Sequence, residues 1–253
     1  MGGVVGGRLA DLLLARVGKQ DDNRRMDGRA YRGRSKLAVL LGDHLWARVA
    51  GKTVLDFGCG TGREAVELAQ RGAARVIGLD IQERALESAR RHARNSGEHE
   101  RCTFTSTAPA RADIIIAIDS FEHFSDPAGV LRQMAELLAP GGSVLVSFGP
   151  TWYHPLGGHL FSVFPWAHLV FTERALIRWR SRFKHDGATR FSEVAGGLNQ
   201  MTIRRFVRLV DASPLQCVEF EARPVRQLRW LHNRVTREFT TATVRCRLVS
   251  RAS

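Results

Sequence analysis

The chain of 253 residues contains only four cysteines, and no two of them form a C-x-x-C pair. Cys59, Cys102, Cys217 and Cys246 therefore support neither a disulfide scaffold nor a zinc knuckle. Long apolar runs are also missing. No window reaches the roughly 18 apolar residues that a membrane-spanning helix needs. The first 19 residues are broken by Arg8 and Asp11, so they lack the apolar core of a signal peptide. These shortages give the expectation of a soluble, cytoplasmic protein. Lysine is scarce too: only Lys19, Lys36, Lys52 and Lys184 stand among 38 basic residues. That imbalance reads first as genome base composition, since lysine codons are AT-rich, and second as a basic surface that draws anionic partners.

What the chain has in quantity is apolar residues, at 44%, enough to rule out a disordered chain. Its formal charge of +13 is unevenly spread. Residues 1–50 carry +5, residues 51–150 carry −2 and residues 151–253 carry +10. The near-neutral middle third alternates strand and helix patterns. Strands are expected at 53–57, 75–79, 102–105, 113–118 and 143–148, and helices at 63–71, 82–95 and 127–138. Pro127 stands at the first helical position behind Asp126, and Ala139-Pro140-Gly141-Gly142 reads as a stop. Such alternation predicts a doubly wound, mostly parallel α/β sheet. The alternation is lost at 151–199, where an Arg-rich helix is expected at 172–183, and order returns as a helix at 202–213 and strands at 216–223 and 239–249, which could pair antiparallel. Residues 1–50 are expected to form an N-terminal helical cap segment. Residues 51–253 are expected to form one domain with an insertion at 151–199.

The strongest local signal is Val54-Leu55-Asp56-Phe57-Gly58-Cys59-Gly60-Thr61-Gly62. A strand that ends in glycines and opens a helix brings backbone amides close to a ligand at the carboxyl edge of a sheet. A dinucleotide site would want G-x-G-x-x-G. Here the spacing is G-x-G-x-G, and Asp56 stands two residues before the first glycine. A carboxylate there would repel a pyrophosphate and suit an ammonium and a sulfonium. Asp80 ends the second strand, where an acid can hold both ribose hydroxyls.

With VLDFGCGTG, the GLD at 78–80, SFEHFSDP at 120–127 and LLAPGG at 137–142 in that order, the sequence resembles the class I S-adenosylmethionine-dependent methyltransferases. The branch it resembles holds small-molecule and ubiquinone-biosynthesis O-methyltransferases. The resemblance implies a Rossmann-like sheet of seven strands, with a cap inserted after the fifth. It implies S-adenosyl-L-methionine over Gly58, Cys59, Gly60 and Gly62, near Asp56, with its ribose at Asp80 beside Ile81. Tyr31 and Arg34 stand where related enzymes close over the methionine end, and Arg34 could pair with the cofactor carboxylate. The acid that often holds adenine after the third strand is absent, Ser106-Thr107 standing there.

Methyl transfer is an in-line displacement, so the protein must align two groups and sometimes remove a proton. Asp119, Glu122 and His123 follow the fourth strand at i, i+3 and i+4, so one helical turn would put them on one side. Asp119 is also expected to lie against the cofactor. His154 and His159 follow the fifth strand, and His154 is the expected general base. The other reading of His154 is a side chain that holds its own loop. The D-x-x-E-H spacing is similar to the E-x-x-E-H of metal-dependent RNA 2′-O-methyltransferases and of some ubiquinone-biosynthesis enzymes. A Mg²⁺ ion is admitted by such ligands but not favoured, and no metal ligand is assigned. A further ligand would have to come from His154 or His159.

Residues 160–171 (LFSVFPWAHLVF) are apolar for an insertion. They suit a lid over a hydrophobic acceptor, plain packing against the sheet, or peripheral contact with a membrane. The expected function is methyl transfer to a small, hydrophobic acceptor, at oxygen. Two alternatives stand beside it: an RNA methyltransferase of the 2′-O type, and a non-catalytic cofactor-binding subunit. Nucleic acid is disfavoured as a partner, because no aromatic and basic RNA platform is evident.

Overall fold

The structure is a computed structural model that describes residues 3–17, 33–107, 110–194 and 197–251. Seven strands form one sheet: β1 (Thr53–Phe57), β2 (Arg75–Leu79), β3 (Cys102–Thr105), β4 (Ala112–Ile118), β5 (Leu138–Phe148), β6 (Leu215–Pro224) and β7 (Thr241–Ser250). Their order is β3-β2-β1-β4-β5-β7-β6. The first five are parallel, and β7 runs antiparallel between β5 and β6. The strand order reverses at β1, whose neighbours are β2 and β4. Open α/β sheets bind ligands outside the carboxyl ends of the strands at such a switch point.

β1 and β4 are buried along nearly their whole length because helices cover both faces of the sheet. On one face lie the helices α2 (Lys36–Leu41), α3 (Leu45–Val49), α4 (Arg63–Gln70) and α5 (Glu83–Asn95), with Leu37, Leu45, Leu68 and Leu86 in one apolar cluster. On the other face lie α6 (Pro127–Leu137) and α9 (Ile203–Asp211), whose Leu131 and Phe206 share a second cluster with Ile115 and Val146. The amphipathic patterns that predicted these helices are what fills the two layers.

A third cluster lies outside both. The insertion folds into two short 3₁₀ turns, at His159–Phe161 and Phe191–Glu193, and two helices, α7 (Ala167–Val170) and α8 (Glu173–Arg180). Its Trp152, Phe161, Phe171, Leu176 and Trp179 pack together with Ala10 and Leu14 of α1 (Gly7–Val17). Val5 bridges to Phe171, and Asp11 accepts from Arg178 at 3.1 Å. The described part of residues 1–50 is therefore divided: α1 packs with the inserted cap, and α2 and α3 cover the sheet.

Several expected boundaries move. The run 139–142 does not end in a turn, because β5 starts at Leu138, paired with Ala112. The register then shifts before Ile114 pairs with Ser143. Gly141, at φ 75°, takes up that irregularity. The last strand starts at Thr241 rather than at 239, since Phe239 and Thr240 close a short helix, α10 (Arg237–Thr240). Thr172 and Thr202 cap α8 and α9 through their hydroxyls instead of entering them. Among the described residues, no helix is long and apolar enough to cross a membrane.

Candidate functional site

The glycine turn sits at the switch point. Gly58, Gly60 and Gly62 all have positive φ, at 84°, 50° and 74°. Gly62 has a second reason to be glycine, since a Cβ there would stand 2.7 Å from Ala89 Cβ and 2.8 Å from the Phe104 ring. A Cβ on Gly60 would meet nothing within 4 Å, so that backbone lies open to a ligand. Asp80, just past β2, accepts from the Gly60 and Gln82 amides at 2.9 Å each. Each oxygen keeps a second acceptor site, which fits a pair of hydroxyls. Ile81 beside it is 92% exposed, an apolar surface next to the same edge. Cys59 is buried, and burial with the nearby Asp56 and Asp80 charges holds its thiol protonated.

Asp56 is buried at the end of β1, and its Oδ2 has no hydrogen-bond partner. Burial, then the neighbouring Glu64, pushes its carboxyl up to about 8. An orphaned acid under a glycine turn fits a cationic ligand group. Nearby, Lys36 of α2 lies 3.0 Å from Asp119 Oδ2 and 3.7 Å from Glu64 Oε1. Lys36 is the cation of the pre-strand region that stands beside these acids. Arg34 is exposed, and Tyr31 lies outside the described residues.

Past β4 the expected helical turn is not made. Asp119 adopts φ 48°, and residues 121–123 form a tight turn. Asp119 pairs with Lys36 while Glu122 and His123 turn toward the cap, and the charge of Asp119 still acts on Glu122. Asp119 faces Lys36, with burial raising its proton affinity against the opposing pull of that ammonium. Glu122 and His123 instead meet His159 of the cap, one donor atom from each lying within 4.8 Å of the others. Glu122 Oε1 accepts from the Gly149 amide at 3.3 Å, while Oε2 is buried without a partner. Burial and the Asp119 charge push its carboxyl up to about 8. Asn199 holds this turn from the far end of the insertion, donating to the carbonyls of Phe121 and Phe124.

His154 lies in the loop after β5 with its Nδ1 accepting from the Leu156 amide at 2.9 Å. Burial lowers its pKa to about 4, so it is a weak proton acceptor at neutral pH. That geometry is the loop-holding arrangement. His168 is similarly engaged between Ser162 Oγ and the Trp152 carbonyl. Residues 160–171 contribute Phe161, Ala167 and Phe171 to the cap's own core, with Leu160, Trp166 and Val170 left partly exposed. Packing thus accounts for much of the stretch read as a lid.

A glycine turn over a buried acid, a second acid at the neighbouring strand and a 3-2-1-4-5-7-6 sheet are now in place. A family profile described as a methyltransferase domain matches residues 27–219. The chain belongs to that methyltransferase family. The class I S-adenosylmethionine-dependent architecture expected from the sequence is the one observed. The ubiquinone biosynthesis O-methyltransferase of Pseudomonas paraeruginosa is 41% identical over 107 residues, covering 40% of this chain and 46% of that protein. The enzyme of the same description from Neisseria meningitidis serogroup A is 40% identical over 108 residues, 40% of this chain and 45% of its own. The aligned stretch spans about half the length of these curated relatives.

Among solved structures, the methyltransferase resembles magnesium protoporphyrin IX methyltransferase from Synechocystis PCC 6803 with bound SAH. The TM-score is 0.58 at 17% identity, covering 96% of this chain and 95% of that one. An O-methyltransferase of neocarzinostatin biosynthesis, in complex with S-adenosylmethionine and a naphthoic acid, gives 0.51 at 16% identity over 85% and 54%. These likenesses are of fold. Within the methyltransferase site, Lys36, Glu64 and Asn199 escaped the sequence reading. Lys36 carried a signal, being one of four lysines in an arginine-rich chain.

Proposed function

We propose that this methyltransferase moves a methyl group from S-adenosyl-L-methionine to a hydroxyl oxygen of a small, apolar acceptor. The observation that carries the reading is the open glycine turn between Asp56 and Asp80. The roughly 40% identity to ubiquinone biosynthesis O-methyltransferases supports oxygen as the target. When bound, the cofactor supplies a methyl already activated on a sulfonium.

The chain's own residues then have positional work. Gly58, Cys59, Gly60 and Gly62 would offer backbone to the cofactor, Asp80 would take its ribose hydroxyls and Ile81 would lie against its base. Asp56 faces the cationic end, and Lys36 supplies the positive charge first expected from Arg34. Asp119 stands just past the carboxyl end of β4, where its carboxylate would accept a proton from the acceptor hydroxyl. His123 flanks that position. His154 supports the loop behind it. The acceptor lies between the 58–62 turn and the cap of residues 151–199, where water is excluded.

The test is incubation of the full chain with methyl-labelled cofactor and a panel of phenols and catechols with and without apolar tails. Label in the ether of an apolar phenol is the expected outcome. Transfer only to nitrogen acceptors or to RNA would overturn the choice of acceptor. Failure to bind the cofactor in calorimetry would overturn the whole reading.

A further inference from the structure

Two of the four cysteines meet on the β6–β7 ribbon, which methyl transfer as proposed above does not use. Cys217 pairs with Leu248 in the antiparallel register, and Cys246 stands two positions before Leu248. Side chains two apart on a strand share a face, so both thiols lie on the same side of the sheet. That side is the one covered by α6 and α9, since Cys246 and Leu248 belong to the apolar cluster beneath them. The register slips between Cys217 and Glu219, which leaves Val218 as an extra residue. Such a bulge bends its strand and sharpens the local twist. Here it carries Cys217 diagonally across the ladder, and the two thiols hydrogen-bond to each other.

The two sulfurs differ in access and in acidity. Cys217 is exposed on the edge strand, whereas Cys246 is buried. The hydrogen bond with Cys246 holds the Cys217 thiol below the usual cysteine range, and the same contact, with burial, pushes Cys246 well above it. Burial raises Cys59 and Cys102 instead. Of the four thiols, Cys217 is therefore the one that reaches solvent and gives up its proton most easily. An accessible, acidic thiol with a second thiol in contact is the arrangement in which oxidation ends in a disulfide.

We propose that Cys217 and Cys246 are a modification site that forms a reversible disulfide, with a hydroperoxide as the oxidant. The Cys217 thiolate attacks one peroxide oxygen. The O–O bond breaks, the departing oxygen takes up the proton that Cys217 released, and Cys217 becomes a sulfenic acid. The Cys246 sulfur then attacks the sulfenic sulfur. The S–O bond breaks, the hydroxyl leaves as water with the Cys246 proton, and the S–S bond forms. Two electrons pass from the two sulfurs to the peroxide. The bond staples the edge strand to β7 and closes the loop between them, whose Phe239 rests on Tyr153 of the cap with ring centroids 5.1 Å apart.

The test treats the reduced full chain with hydrogen peroxide, blocks the remaining thiols with N-ethylmaleimide in denaturant, and reads intact mass and non-reduced peptide maps. Two of the four alkylations should be lost, with one linked peptide pair holding Cys217 and Cys246. A thiol reductant should restore all four. Closing the loop should also raise the unfolding midpoint and slow amide exchange over residues 225–240. Cys246→Ser should stop at the sulfenic acid, captured on Cys217 by dimedone. Cys217→Ser should leave the other three thiols open to alkylation. Should Cys246→Ser fail to fold, the wild-type linked peptide and the Cys217→Ser variant decide. Four alkylations retained after peroxide, a Cys217 bridge to a second chain, or a Cys217 sulfinic acid beside a free Cys246 would each overturn the site.

Discussion

Asp80 engages both its oxygens with backbone amides, so it shapes the glycine turn as well as facing the cofactor's ribose in the reading above. Asp80→Ala should weaken S-adenosyl-L-methionine binding by roughly 1.5–3 kcal/mol, as loss of a charged hydrogen-bonding group does. Titration calorimetry on the folded variant checks this, and unchanged affinity would remove the ribose from this position. His154 offers a sharper contrast, because its Nδ1 holds the Leu156 amide two residues on. An asparagine side chain can accept from the amide at i+2 in the same way. His154→Asn should therefore keep most turnover while His154→Ala loses it. If both variants are equally inactive, His154 takes the proton and the loop-holding account fails. At this scale Asp56, Asp80 and the glycines were legible, because backbone conformation and charge are written locally. The pairing of Lys36 with Asp119 was not, because 83 positions separate residues that only the α2–β4 packing brings together.

The strands β1, β2 and β3 were readable to the residue, since β1 and β2 are short apolar runs and β3 alternates buried Cys102 and Phe104 with threonines. The cap was opaque for a physical reason. Only α8, of eight residues, stood out, as an Arg-rich helix, whereas α7 spans four residues, too short to impose a period, and the cap's core rests on aromatic contacts such as Phe161 with Phe191. Its buried polar centre is His168, whose ring lies 2.6 Å from the Trp152 carbonyl. Burial lowers its pKa from 6.5 to about 4. Between those values the unfolded chain takes up the proton more readily than the folded one. His168's contribution is therefore complete above about pH 6.5 and is lost as pH falls through 4. The unfolding midpoint should drop over that window, and His168→Gln should flatten the slope by up to ~1.4 kcal/mol per pH unit. Melting curves at several pH values check it, and an unchanged slope would exonerate His168.

Taken whole, the molecule is two apolar layers on a sheet plus a third cluster that binds α1 to the cap. The cap joins the sheet through a few polar ties, among them Asn199 and the Trp152 amide on the Met201 carbonyl. Amides of α1 and α8 should consequently exchange with solvent as one group, and faster than those of β1, β4 and β5. Hydrogen exchange read by mass spectrometry checks this, and independent rates for α1 and α8 would contradict it. The positive charge of the last third is partly neutralised on the β6–β7 ribbon, where Glu219 and Glu221 meet Arg48, Arg223, Arg245 and Arg247. Composition alone had left that charge open to reading as a nucleic-acid surface. The place of β7 also bears on the order in which the protein is made. A ribosome releases β6 before β7, yet β7 is the strand that fills the gap between β5 and β6. Until residue 250 has emerged, the growing polypeptide carries β5 as a bare edge whose N–H and C=O groups invite a neighbouring nascent chain. Truncation ahead of Thr241 should therefore yield aggregates rather than a smaller soluble domain.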